Sequence, residues 1–266
     1  MEAPTDQISQ PEAATEEEVV YSEDGSIASR ASLKEGQLDG PVETYYPSGS
    51  IAERAQYARG VLHGKTYTYT PDGSTQQEAE FAEGVLHGTV IVYDERGEVS
   101  QEAQYENGVL HGSTQVYDFG VLRATIAFAE GVQAGETLVY YENGQVAEHA
   151  LYEAGKRNGL TTTFAADGTV LRRALYCEDQ LCGEVQDFDE KGNLREEATY
   201  EAGVLSGQRR TYHPSGALKS KAAFVAGHQQ GPEEQFDAKG RQAQNSLLGK
   251  MRQTVKADLT GLVKKR

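Results

Sequence analysis

Residues 57–64 read Tyr-Ala-Arg-Gly-Val-Leu-His-Gly, residues 81–88 read Phe-Ala-Glu-Gly-Val-Leu-His-Gly, and residues 105–112 read Tyr-Glu-Asn-Gly-Val-Leu-His-Gly. The octet returns every 24 residues, and a fixed step of that size marks a chain built from copies of one supersecondary unit. Followed outward, its closing glycine gives Gly40, Gly64, Gly88, Gly112, Gly135, Gly159, Gly183, Gly207 and Gly231, with the step before Gly135 one residue short. Two further glycine ladders keep pace, one from Gly49 to Gly240 and one from Gly36 to Gly227. Asp179 stands where the second of these lacks a member.

The repeat reads G-x4-[YF]-x3-G-x7-[YF]-x2-G-x3-G, and its alternation has a period of two, so the local structure is strand. Thr66 and Thr68, Val90 and Val92, and Thr161 and Thr163 supply β-branched residues at the even positions after the glycine, which suits a pleated surface. The second strand carries a small residue and then an aromatic: Ala55 with Tyr57, Ala79 with Phe81, Ala103 with Tyr105. Between the two strands lie Pro47-Ser48-Gly49, Pro71-Asp72-Gly73 and Glu142-Asn143-Gly144, each a chain reversal. The predicted fold is therefore all-β: an elongated antiparallel array of about nine β-hairpins, a rod with its aromatics and leucines on one face.

Composition agrees with a repeat. A hydrophobic share of 38% with 29 glycines in 266 residues is lean for one large core, whereas repeats pack only on their neighbours. A formal charge of -16 opposes general nucleic-acid binding, which needs clustered Lys and Arg, and no apolar run approaches the length of a membrane span. Residues 1–20 carry Pro, Ala, Thr and acids without a basic residue and are expected to be a flexible acidic tether. The array is expected over 21–241. In 242–266, Leu248, Met251, Val255, Leu259 and Leu262 fall at three- and four-residue steps among basic residues, which predicts an amphipathic helix capping the last strand.

The octets and the Tyr-x3-Gly turn that follows them resemble the MORN repeat, in the variant form found in bacterial YwqK-like antitoxin and immunity proteins. The resemblance covers roughly residues 20–240. The chain departs from the pattern in having no Trp and in replacing Leu-His by Gln133-Ala134, Arg157-Asn158 and Gln229-Gln230. What the resemblance implies is a repeat surface of the kind shared by lipid-associated scaffolds, modules attached to kinases or methyltransferases, and bacterial proteins that neutralise a toxin; because the repeats account for nearly all of this chain, no catalytic domain is expected. Fold alone does not choose between these roles.

The side chains that could carry chemistry have plainer readings. His63, His87 and His111 recur in register, but equivalent atoms of successive hairpins lie about 9.6 Å apart, too far to share one metal ion. No metal, cofactor or catalytic set is expected. Cys177 and Cys182 flank the connection that holds Asp179, and a disulfide between them would staple the turn that lacks its glycine. That pairing points to an oxidising compartment, the periplasm or outer surface of a bacterium, with a signal or lipoprotein leader removed; a cytoplasmic antitoxin is the alternative.

The first functional reading is an immunity protein or antitoxin that holds a cognate toxin or secreted effector, an envelope- or phospholipid-attacking one fitting an exported site. The acidic charge suits a basic protein partner. Recognition is expected where the repeats differ, at the third position after the glycine, with Tyr67, Ile91 and Leu138 as anchors and Tyr46 and Tyr141 beside them. The plain alternative is that these residues only complete the packing. A membrane-associated scaffold that binds envelope proteins, or touches anionic lipid through the basic C-terminal helix, is the second reading. The oligomeric state has no signal in the sequence.

Overall fold

The structure is a computed structural model and describes residues 15–243. Among these residues there are twenty-one strands and no helix, and the strand pairings are antiparallel and join strands that are next, or next but one, along the chain. The chain divides into two compact units, Met1–Ala134 and Gly135–Arg266.

In the first unit each repeat is one hairpin. Strand Gly64–Tyr69 pairs with Thr75–Ala82, which pairs with Val85–Tyr93, which pairs with Val99–Glu106. One face carries a row of small residues set directly opposite one another: Thr66 faces Ala79, Ala79 faces Val90, and Val90 faces Ala103. These are the buried positions, with Ala79 at 6% and Ala103 at 2% exposure, and no large side chain among the described residues is fully buried. A small residue between larger neighbours on a sheet is screened by them, so the apolar interior is a narrow row and not a deep core. In the second unit the same row runs through Thr161, Ala174, Val185 and Ala198.

The two aromatic ladders lie on opposite faces, which corrects the expectation of aromatics and leucines together. Phe81 stands two residues from Ala79 and opposite Leu86, so it shares the alanine face. The Tyr69 ring instead lies 6.5 Å from that of Tyr67, and Tyr93 donates its hydroxyl to Glu78, which faces Ile91. The first aromatic falls an odd number of residues after the glycine, while the second follows the alanine by two; alternation then parts them. The repeat glycine serves a bulge. Between the pairs Ala79–Val90 and Phe81–Leu86 the second strand carries two extra residues, and Gly88 there takes φ +104 with Glu80 lying over it, where a Cβ would stand 2.5 Å from a carboxylate oxygen.

Two kinds of turn alternate. The wide turn bonds Gly49 N–H to the Tyr46 carbonyl at 2.8 Å and Tyr46 N–H to the Ser50 carbonyl at 2.8 Å. The tight turn has two central residues, Arg59 at φ 49 and Gly60 at φ 81, both left-handed as a type I′ hairpin requires. The shortened repeat has its deletion in a wide turn. Asp118 faces Val121 across Phe119 and Gly120, at φ 50 and 70, so Gly120 sits in a tight turn although its sequence position groups it with the wide ones.

The boundaries shift at both ends. Strand Thr15–Tyr21 pairs with Ile27–Lys34, so the array begins six residues inside the segment expected as a tether; residues 1–14 lie outside the described residues. At the other end Gln242 bridges to Phe236 and Ala243 N–H donates to the Gln235 carbonyl at 2.7 Å. Of the amphipathic helix expected over 242–266, residues 244–266 lie outside the described residues, while Gln242 and Ala243 are paired with the array.

Candidate functional site

On the face opposite the alanines, the third residue of each first strand joins its partners into a second row. In the first unit this row runs Glu43, Arg54, Tyr67, Glu78, Ile91, Glu102, Gln115, each facing the next. Side chains directly opposite on a sheet stand about 5 Å apart at Cβ, so the row forms one continuous strip.

Hydroxyls of the first aromatic ladder fix several of its polar members. Tyr45 donates to Glu43 Oε2 at 2.5 Å and Arg54 Nε donates to Glu43 Oε1 at 2.8 Å. The Tyr45 hydrogen bond, with Arg54 in support and against partial burial, holds the Glu43 carboxyl below the usual carboxylate range. Tyr93 donates to Glu78 Oε1 at 2.6 Å, and that bond pushes the Tyr93 phenol up to about 12. Tyr117 donates to Gln115 Oε1 at 2.5 Å. Ile91 therefore lies between two carboxylates, Glu78 and Glu102, and the cation nearest Glu78 is Lys65, at 3.9 Å.

The second unit balances its row differently. Leu138 faces His149, which faces Thr162, and Thr162 faces Arg173. Glu197 is met by Arg210 at 2.8 Å and by the Tyr212 hydroxyl at 2.7 Å, and Glu234 by Lys221 at 3.1 Å. Its central carboxylates are thus matched by cations at close range.

The sequence-derived anchors separate into two groups. Tyr67 and Ile91 share the first unit's strip with only Glu78 between them, and Leu138 occupies the equivalent row of the second unit. Tyr46 and Tyr141 do other work: their hydroxyls donate to the carbonyls of Tyr69 at 2.7 Å and Phe164 at 2.8 Å, tying each wide turn to the following repeat. Sequence reasoning missed the tyrosine–glutamate bonds, although Tyr93 with Glu78 and Tyr212 with Glu197 share a 15-residue separation that could have suggested them.

Cys177 and Cys182 are joined, with Cα atoms 5.7 Å apart. The turn between them places Glu178 at φ 49 and Asp179 at φ 69, so both central residues are left-handed without a glycine. Asp179 N–H donates to the Arg157 carbonyl at 2.9 Å, as turn glycines do elsewhere, and Asp179 Oδ1 accepts from Arg157 N–H at 2.9 Å. The Arg157 guanidinium lies 4.3 Å from the centre of the Tyr176 ring. Of the histidines, His63 is exposed and faces Glu83 at 3.9 Å, while His111 is half-buried and faces Glu106 and Glu130 at 3.7 and 3.8 Å.

Four segments match the family model described as MORN repeat variant: residues 38–58, 86–107, 133–154 and 181–202. Each spans one hairpin, and the starts are two repeats apart, so the unmatched repeats between them carry the same ladders. No curated protein matches the chain. Among solved structures it is similar to TcdB2-TccC3-Cdc42, at 15% identity over 84% of this chain and 14% of that one, with a TM-score of 0.20. It is also similar to the Photorhabdus luminescens Tc holotoxin pore, at 13% identity over 86% and 14% of the two chains, with a TM-score of 0.21. The chain thus spans about a seventh of the length of those structures, and likeness at these scores decides nothing about its role.

Proposed function

We propose that this array of MORN-variant repeats is a non-catalytic binding protein, an immunity protein or antitoxin that holds and blocks a basic toxin or secreted effector. The observation that carries the reading is the strip Tyr67, Glu78, Ile91, Glu102, where aromatic and aliphatic side chains alternate with carboxylates that face no cation across the strands, Glu78 having Lys65 beside it at 3.9 Å. Such a surface offers a partner apolar contact and a fixed site for Lys or Arg side chains. The overall charge of -16 speeds encounter with a partner of opposite sign. The Cys177–Cys182 bond supports an extracytoplasmic site, where disulfides persist.

Affinity capture from native cells under non-reducing conditions, with bound proteins and lipids both identified by mass spectrometry, tests the reading. A stoichiometric protein partner with a toxin-like domain is the expected result. Enrichment of anionic lipid without such a partner would replace it by a membrane scaffold.

A further inference from the structure

In the first unit, the wide turns at 46–50 and 70–74 are held together by Tyr46. Its side chain spans the interval, donates to the Tyr69 carbonyl at 2.7 Å, and is joined by Ser50, whose hydroxyl donates to the Pro71 carbonyl at 2.9 Å. The next interval, between the turns at 70–74 and 94–98, has Thr70 in the place of Tyr46. Thr70 is too short to span it and turns its hydroxyl back on its own turn, to the Asp72 carboxylate and to the Ser74 carbonyl at 3.1 Å. What Tyr46 fills in one interval is in the next an open groove of about 420 Å³, lined by Thr70, Pro71, Thr75, Gln76, Tyr93 and Asp94.

We propose that this groove is a recognition pocket for an aromatic side chain carrying an N–H or O–H donor at its far end, tyrosine foremost, supplied by a bound protein. The occupant's chemistry is written in the neighbouring repeat: a ring between two turns, with a donor that reaches the carbonyl of the following first aromatic, here Tyr93. The second unit shows that the donor need not be a phenol, since His213 Nε2 meets the Phe236 carbonyl at 3.0 Å in the same register in which Tyr141 meets Phe164. The volume lies within the about 300–1,000 Å³ range of small-molecule pockets and so has room for one aromatic ring. The wall is set before binding, because the Tyr93 ring is held by its bond to Glu78. Asp72, Asp94 and Glu95 at the rim favour an aromatic flanked by Lys or Arg. A ring without a donor would cover the carbonyl and return no hydrogen bond, which a polar group taken from water needs.

The source of the occupant rests on the binding-protein reading above, whereas the groove is testable without any partner. Amide NMR of the full chain would be followed on titration with p-cresol, and with toluene as the same ring lacking a donor. Saturable shifts at Thr70, Thr75, Tyr93 and Asp94 with p-cresol, at least tenfold weaker with toluene, are expected. Thr70→Tyr, which lets the chain fill its own groove, should abolish them. Tyr46→Ala should open a second site, with new p-cresol shifts at Ser50 and Tyr69, and keeps the test alive if Thr70→Tyr does not fold. Equal response to toluene, unsaturable shifts spread over the chain, or an unchanged response in folded Thr70→Tyr would overturn the pocket. If the titration fails while capture yields a toxin-like partner, the proposed function stands and the pocket falls. If p-cresol binds but capture yields no protein, the assigned source of the occupant is overturned.

Discussion

Tyr46 and Tyr69 are joined by a hydroxyl-to-carbonyl hydrogen bond of 2.7 Å, and Tyr141 repeats it with Phe164 at 2.8 Å, 23 residues apart in each case. A side chain that varies between repeats is in these two places a tie between consecutive hairpins. In an array whose repeats pack on neighbours alone, such ties set how firmly one hairpin follows the next.

Tyr46→Phe removes that bond and keeps the ring. It should lower stability by about 1 kcal/mol, the net worth of one intramolecular hydrogen bond. Denaturant unfolding of the variant would measure it, and capture of the partner should be unaffected. Loss of the partner in a variant of normal stability would return Tyr46 to the recognition surface.

Tyr67→Ala and Ile91→Ala should weaken partner binding about tenfold or more each, the scale of central interface anchors. The Tyr141→Phe control should leave it unchanged. Calorimetric titration against the captured partner separates the groups, and equal affinities across all three variants would place recognition elsewhere.

The hydroxyls of Thr66, Thr114 and Thr161 are buried and have no hydrogen-bond partner, while Val90 and Val185 fill the same row position in other repeats. Replacing each Thr by Val should raise stability by about 1 kcal/mol, because a buried hydroxyl without a partner costs its lost hydration. A fall in the denaturant midpoint on Thr66→Val would show that the hydroxyl is solvated in solution.

Reducing the Cys177–Cys182 bond frees a short loop and should cost about 2 kcal/mol by the chain-entropy estimate. The loss should centre on the Glu178–Asp179 turn, where no glycine relieves the left-handed backbone. Hydrogen exchange at Asp179, whose amide is bonded to the Arg157 carbonyl, is the direct readout. Unaltered protection there after reduction would mean that the Asp179–Arg157 contacts alone hold the turn.

Two pH limits follow from the aromatic face. Glu43 has its folded pKa depressed, chiefly by the Tyr45 hydrogen bond, so its stabilisation is present above the unfolded value near 4.5 and is lost as pH falls through the folded one. Tyr93 is raised to about 12, chiefly by its bond to Glu78, so its contribution is present below the unfolded value near 10 and is lost as pH rises toward 12. Ultraviolet phenolate titration should show one high-pH step fewer in Tyr93→Phe, and acid unfolding of Glu43→Gln should depend less steeply on pH.

The repeat period, the hairpin and the places where the chain reverses were legible in the sequence, because glycine, proline and period-two alternation act through the local backbone. So was the proximity of Cys177 and Cys182, which five residues across a tight turn cannot avoid. Tyr67 and Ile91 could be placed on the face of the first aromatic by counting from Gly64 and Gly88.

Other features depended on register. Which ladder shares a face with the alanines depends on a bulge at Gly88 and on an unbroken strand opposite it, and only pairing across strands fixes both. Tyr46 could not be told from a recognition residue until the Tyr69 carbonyl was seen within reach of its hydroxyl, and the groove beside Thr70 exists only as a difference between two neighbouring intervals. The sequence by itself determined a β-hairpin repeat of 24 residues, since each copy carries its own turn chemistry. The tertiary structure decided which variable side chains tie the repeats together and which remain facing water, because that depends on distances between residues 23 apart in the chain that local preference does not set.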